Sequence, residues 1–264
     1  MFENFKPTPK TIENLSELAN KVYDDGLKKP VQSTGEVIAI LPQAIKAALE
    51  PVEQWILYKK YNLAITEKIL EEKLQDTSPE EIVAPEPYVA VPALNAITYC
   101  FDSDELRNLY ANLLARSMLA PEKDNVHPSF VEIIKQMSPA DAKILKVIYE
   151  TNSKPLIHLR WTINNSSSQL DVMNNLSWIE DFGFKEASIS IENLSRLKLI
   201  DIPPHTYYPD KKIYDKILDS PKFKEFLDTL VLVDYPGGKY DFVKGKISRN
   251  AFGKLFYDIC IKDL

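Results

Sequence analysis

Eighteen prolines set against seven glycines constrain this chain more than any other feature of its sequence. A proline has no backbone N–H and its ring collides with the preceding turn, so it ends or kinks a helix. At the first helical position neither fault matters. Thr8-Pro9, His127-Pro128-Ser129 and Ser138-Pro139 therefore read as helix starts. After the first of these, Ile12, Leu15, Ala19, Val22 and Tyr23 share a helical face until Asp24-Asp-Gly26 stops it. Residues 28–35 read as a linker, and a longer helical pattern over 36–74 is kinked or divided at Pro42 and Pro51. Residues 78–92 carry Pro79, Pro85, Pro87 and Pro92, which predicts an extended strap packed through Tyr88, Val89 and Val91.

The clearest helix follows. Asp102 and Glu105 stand at capping-box spacing, and Leu106, Leu109, Tyr110, Leu113, Leu114 and Met118 form a stripe of helical period. Asn108, Asn112 and Arg116, four apart, line its other face. Such a row is ordinarily solvated, and it is also a candidate partner-binding surface, with His127 at the next helix start as a fourth member. Phe130, Ile133, Ile134 and Met137 give that next helix its apolar side, and Ser138, Pro139 and Asp141 open another that runs to about Glu150.

Beyond Ser138 the pattern changes. Pro155 to Trp161 alternates like a strand, two helices are expected at 168–181 and 186–197, and Leu199 and Ile200 begin a short strand. Residues 203–234 read as an insertion with short helices at 211–218 and 221–230. Residues 231–243 read as a hairpin turning at Gly237-Gly238, and Ser248 as the cap of a last helix carrying Phe252, Leu255, Phe256, Ile259 and Cys260 on one side. The expected architecture is mainly α: a helical bundle over 1–137, then a winged-helix-like α+β domain over 138–264.

Charge narrows the partners. The chain is 45% apolar with a formal charge of −6, which excludes a protein that coats nucleic acid by bulk positive charge. Residues 138–264 nevertheless hold 18 Lys and Arg against 17 Asp and Glu, whereas residues 1–137 hold 14 against 21. Lys239, Lys244, Lys246 and Arg249 make the candidate nucleic-acid-binding set. The helix that would read DNA, 186–198, sets Glu186 and Glu192 against Arg196 and Lys198 and is poorly equipped for phosphates. The apolar run 37–57 is broken by Lys46, Glu50, Glu53 and two prolines, so a membrane span is not expected. The N-terminus lacks a signal-peptide pattern, Cys100 and Cys260 read as reduced buried thiols, and the expected location is cytoplasmic.

Catalytic patterns are missing. The sequence contains no phosphate-loop, dinucleotide, zincin or nucleophile-elbow motif, and Gly245-Lys-Ile-Ser248 lacks the glycine spacing of a phosphate loop. His127, His158 and His205 do not stand at metal-ligand spacing, so neither metal nor cofactor is expected. Asp102, Asp104 and Glu105 suit a helix start, where free N–H groups favour acids.

Two strings carry a resemblance. Asp104-Glu-Leu-Arg-Asn-Leu-Tyr-Ala-Asn-Leu-Leu-Ala-Arg-Ser-Met118 and Val126-His-Pro-Ser-Phe-Val-Glu-Ile-Ile-Lys-Gln-Met-Ser-Pro-Ala-Asp-Ala-Lys-Ile-Leu145 resemble the bacterial abortive-infection alpha (Abi-alpha) family. Gly35, Pro42, Pro51 and Val91-Pro92 extend the likeness, which covers roughly residues 35–145. It implies a role in phage defence and supplies no catalytic residues. The leading expectation is a non-enzymatic protein that binds a phage or host component, with self-association left open. One alternative is a winged-helix DNA-binding regulator. Another is a hydrolase or nuclease of unrecognised type that uses His127 with Asp102, Asp104 or Glu105.

Overall fold

In the computed structural model the described residues are 43, 60–97, 100, 103–151, 154–163, 169–230 and 238–264. The first expected helix, the linker, most of 36–74, the Asp102 cap and the turn at Gly237 lie outside them. The chain is mainly helical with a small antiparallel sheet. It divides into two compact units. One comprises Met1–Asp102, Tyr110–Val131 and Asp263–Leu264, and the other Ser103–Leu109 and Glu132–Lys262. Among the described residues no helix is long and apolar enough to cross a membrane.

In the first unit, helix α1 (Lys60–Leu74) buries Leu70 and Leu74. Helix α2 (Pro87–Ile97) corrects the expectation of an extended strap over 78–92. Pro87 occupies the start of the helix, Pro92 lies inside it, and Val89, Ala90, Ala93, Leu94, Ala96 and Ile97 are buried along it. That apolar stripe outweighs the backbone hydrogen bond lost at Pro92, because Val89, Leu94 and Ile97 each contribute about 1.5–3 kcal/mol on burial. Extended backbone is confined to the stretch before α2: Ile82 bridges Leu119, Val83 N donates to Met118 O (2.8 Å), and Ala120 N donates to Glu81 O (2.9 Å). Cys100 is half-buried with its Sγ 3.6 Å from Ala96 O, and burial pushes its thiol pKa up.

Helix α3 (Asp104–Ser117) begins with Ser103, whose Oγ accepts from Leu106 N at 3.3 Å. Every residue from Leu109 to Leu119 is buried, so its central turns have no solvated side. Helix α4 (Ser129–Lys135) follows, with Phe130 and Val131 buried in the first unit.

The second unit opens with helix α5 (Pro139–Glu150). Ser138 Oγ accepts from Asp141 N (3.2 Å) and Asp141 Oδ2 accepts from Ser138 N (2.7 Å), closing a capping box. Strand β1 (Pro155–Ile163) is the centre of an antiparallel sheet, flanked by β2 (Gln169–Leu176) and β4 (Gly238–Lys246). A helix expected over 168–181 is thus corrected to a strand. Asn174 and Asn175 are poor helix formers, and Asn175 has φ 59°, which no helix tolerates. Pairing with β1 satisfies the backbone instead, with Arg160 opposite Asp171 and joined to it by an ion pair of 2.7 Å. The register shifts twice along β1–β2, on either side of Leu159, while β1–β4 runs unbroken from Pro155↔Lys246 to Ile163↔Gly238.

Helix α6 (Phe184–Arg196) leads into β3 (Ile200–Asp201), which pairs with β5 (Ser248–Arg249). Between them a 3₁₀ turn (Lys211–Tyr214) and helices α7 (Asp215–Leu218) and α8 (Pro221–Thr229) occupy the stretch read as an insertion. They are integral to the core: Tyr214, Ile217 and Phe223 are buried against Ile157, Leu159, Leu176 and Phe184. Phe223 meets Phe184 edge-on at 5.0 Å and Phe242 at 5.7 Å. The last helix, α9 (Ala251–Phe256), is capped by Asn250, whose Oδ1 accepts from Gly253 N at 2.7 Å, in place of the expected Ser248. It runs on into a π-helical turn, Tyr257–Ile261. Gly253 is obligatory there, because a Cβ would strike Leu199 O and the Tyr149 hydroxyl.

Candidate functional site

The row Asn108, Asn112, Arg116 does not form a solvated face. Asn108 is exposed, but Asn112 is 2% and Arg116 7% exposed. Arg116 is turned inward by partners that spacing cannot reveal: Nη1 meets Glu122 Oε2 at 2.7 Å, and Nη2 donates to Asp263 O at 3.3 Å. His127 is exposed. Its Nδ1 accepts from Ser129 N at 3.2 Å and lies 2.7 Å from Ser129 Oγ, so the ring caps the start of α4. The acids named with it are held locally, Asp104 by Arg107 and Glu105 by Lys143 at 2.7 Å. The Glu105 carboxyl is lowered in pKa chiefly by that Lys143 hydrogen bond. No group of three or more His, Cys, Asp or Glu able to hold a metal occurs among the described residues.

Two open clefts lie in the second unit. The larger, about 750 Å³, runs along α6 and is lined by Lys135, Gln136, Ser138, Asn174, Ser188, Ile189, Glu192 and Arg196, among others. A linked set of hydrogen bonds fixes its floor. Asn193 Nδ2 donates to Asp141 Oδ2 (2.8 Å) and Gln136 O (2.9 Å). Arg196 donates through Nε and Nη2 to Asn193 Oδ1 (3.1 and 2.7 Å) and through Nη1 to Gln136 Oε1 (2.9 Å). Ser188 Oγ donates to Asn174 O at 2.7 Å, and Asn175 pairs with Glu192. From this polar rim Ile189 projects, 60% exposed. Beside it His158 Nδ1 lies 3.1 Å from Asn174 Oδ1, and burial lowers the imidazole pKa.

The smaller cleft, about 440 Å³, is lined by Ile148, Thr151, Lys154, Tyr208, Lys246, Ile247, Ser248 and Arg249. It forms where β1 begins and β4 ends. Pro155 pairs with Lys246, Ile247 N donates to Lys154 O (3.0 Å), and Lys154 N donates to the Tyr208 hydroxyl oxygen (3.2 Å). The Tyr214 hydroxyl fixes the third side, donating to Gly245 O (2.9 Å) and accepting from Tyr208 N (3.0 Å). Of the four cations proposed for nucleic acid, Lys246 and Arg249 line this cleft. Lys244 shares the Lys246 side of β4 by strand alternation, and Lys239 falls on the opposite side near the far end. Arg249 is also structural: Nε donates to Ile148 O (3.2 Å), Nη2 to Thr151 O, and the guanidinium lies 5.7 Å over Tyr149.

These features define a mainly helical protein with a small antiparallel sheet and, among the described residues, open clefts in its second unit. The chain belongs to the abortive infection alpha family, whose model matches residues 58–260 and so takes in both clefts as well as the two resembling strings. Comparison with curated proteins and with solved structures returns no match.

Proposed function

We propose that this protein serves phage defence by abortive infection, without catalysis, and acts by docking a phage or host protein in the α6 groove. Family membership supports the defence role. The single observation behind the docking role is the exposed Ile189 ringed by amides, hydroxyls and charges whose positions are locked from below. An apolar anchor surrounded by oriented polar groups is the composition of a protein-recognition surface, where a few central side chains carry most of the affinity. A rigid floor also spares the entropy of ordering those groups on binding. Of the four residues first considered, Asn112 and Arg116 are buried in the first unit, whereas Asn108 and His127 are exposed.

Ile189→Asp tests the reading, because the side chain is exposed and the change leaves the floor intact. Cells carrying the wild-type gene are expected to form fewer phage plaques than empty cells, and the Ile189→Asp protein, equally folded and expressed, to lose that protection. Equal plaque counts with and without the wild-type protein over a broad phage panel would remove the defence role. Full protection by the variant would remove the groove.

A further inference from the structure

The smaller cleft gathers cations in a protein of net negative charge. Lys154, Lys246 and Arg249 line it, and no carboxylate stands among the lining residues. None of the three makes an ion pair among the described residues. The Lys246 ammonium lies 5.9 Å over the Tyr208 ring, and Lys244 lies 5.1 Å over the Tyr214 ring. Arg249 spends Nε and Nη2 on the end of α5, which fixes its plane and leaves Nη1 uncommitted among the described residues. The Tyr208 hydroxyl accepts from Lys154 N, so its own proton is available to a ligand, as is the hydroxyl of Ser248 at the rim.

We propose that this cleft binds a phosphate-bearing small molecule, a phosphate monoester or diphosphate, through Lys154, Lys246, Arg249 and the Tyr208 hydroxyl. Like charges held together without counter-charge repel one another, and a multivalent anion relieves that repulsion while accepting several charge-assisted hydrogen bonds. Burial, reinforced by the charge of Lys216, lowers the Lys154 ammonium pKa, which is the strain such an anion would remove. The volume lies in the range of small-molecule sites and leaves room for an organic group beside the phosphate. A nucleic-acid duplex is the poorer occupant. Lys239 and Lys246 stand roughly 23 Å apart along β4, on opposite sides of the strand, so they present no continuous basic track. The inference does not depend on the α6 groove.

The test is calorimetric titration of the full chain with inorganic pyrophosphate and, separately, with a nucleoside diphosphate. Saturable binding is expected, weakened at least about tenfold by Lys154→Gln and by Lys246→Gln, and unchanged by Lys239→Gln. Thermal unfolding without ligand confirms that each variant is folded, and Lys154→Arg should retain binding. Tighter binding of the nucleoside diphosphate assigns the organic portion to the cleft, and tighter binding of pyrophosphate assigns a free diphosphate; either upholds the proposal. No saturation by about 10 mM of either probe, far weaker than a functional site, would overturn it. So would equal weakening by Lys239→Gln, or binding of duplex DNA without binding of either probe.

Discussion

Replacing Asp141 by alanine breaks the point at which α5 is tied to α6. The carboxylate is 3% exposed, and Oδ2 accepts from Ser138 N at 2.7 Å and from Asn193 Nδ2 at 2.8 Å. Hydrogen bonds to a charged group contribute about 1.5–3 kcal/mol each, and an acid in the first turn adds about 0.3–1 kcal/mol through the helix dipole. Three effects reduce the total. Asn193 Nδ2 keeps Gln136 O as an acceptor, Ser138 N lies at a helix end that water can reach, and burying the carboxylate has its own desolvation cost. The expected net loss is about 2–3 kcal/mol, against about 1 kcal/mol for Ser138→Ala, which removes only the hydroxyl half of the box. Urea unfolding of Asp141→Ala, Asn193→Ala and the double variant measures both the loss and its origin. A coupling of about 1 kcal/mol between the two positions is expected. A loss for Asp141→Ala below about 0.5 kcal/mol, the scatter of ordinary surface changes, or additive behaviour of the pair, would refute the reasoning.

Gly253→Ala should cost at least about 3 kcal/mol or prevent soluble expression, since the methyl must displace the Leu199 carbonyl; melting temperature reads this directly. Tyr149→Phe should cost about 1–3 kcal/mol, because the buried Leu199 O loses the hydroxyl that donates to it at 2.9 Å. The same phenol is pushed up to about 12 chiefly by burial. Above the ordinary tyrosine value of about 10 the unfolded chain releases the proton first, so stability falls as pH rises toward 12. The difference between wild-type and Tyr149→Phe pH profiles isolates that loss. For His158 the sign is reversed: burial lowers the imidazole pKa, the unfolded chain takes the proton first, and stability falls as pH drops below about 6.5. His158→Gln should flatten that part of the profile, and an unchanged slope would show that the ring is not the titrating group.

What the sequence discloses is what depends on near neighbours. The Ser138–Asp141 box, the α3 stripe and the alternation of β1 all lie within a few residues, and each forms at or close to its expected position. Proline counting failed at α2, because one proline at the helix start and one inside it weigh less than a stripe of six buried residues. At β2 a weak local preference gave way to the unpaired edge of β1. Candidate sites were harder still. Arg116 is drawn inward by Asp263, 147 residues away, and nothing in its own neighbourhood signals that. Lys154 attracted no notice because its place beside Lys246 exists only through the β1–β4 register. The one available hint was Lys154-Pro155 opening a strand, a signal too common to single out.

The hydrogen bonds beneath the α6 groove have a further effect. Gln136, Asp141 and Asn193 both line the groove and hold the start of α5. Any occupant that binds more tightly when those three side chains keep this arrangement also stabilises the cap, and by reciprocity a loosened cap weakens the grip on the occupant. Recognition at this surface and the melting point of its helix pair are therefore one equilibrium seen from two ends.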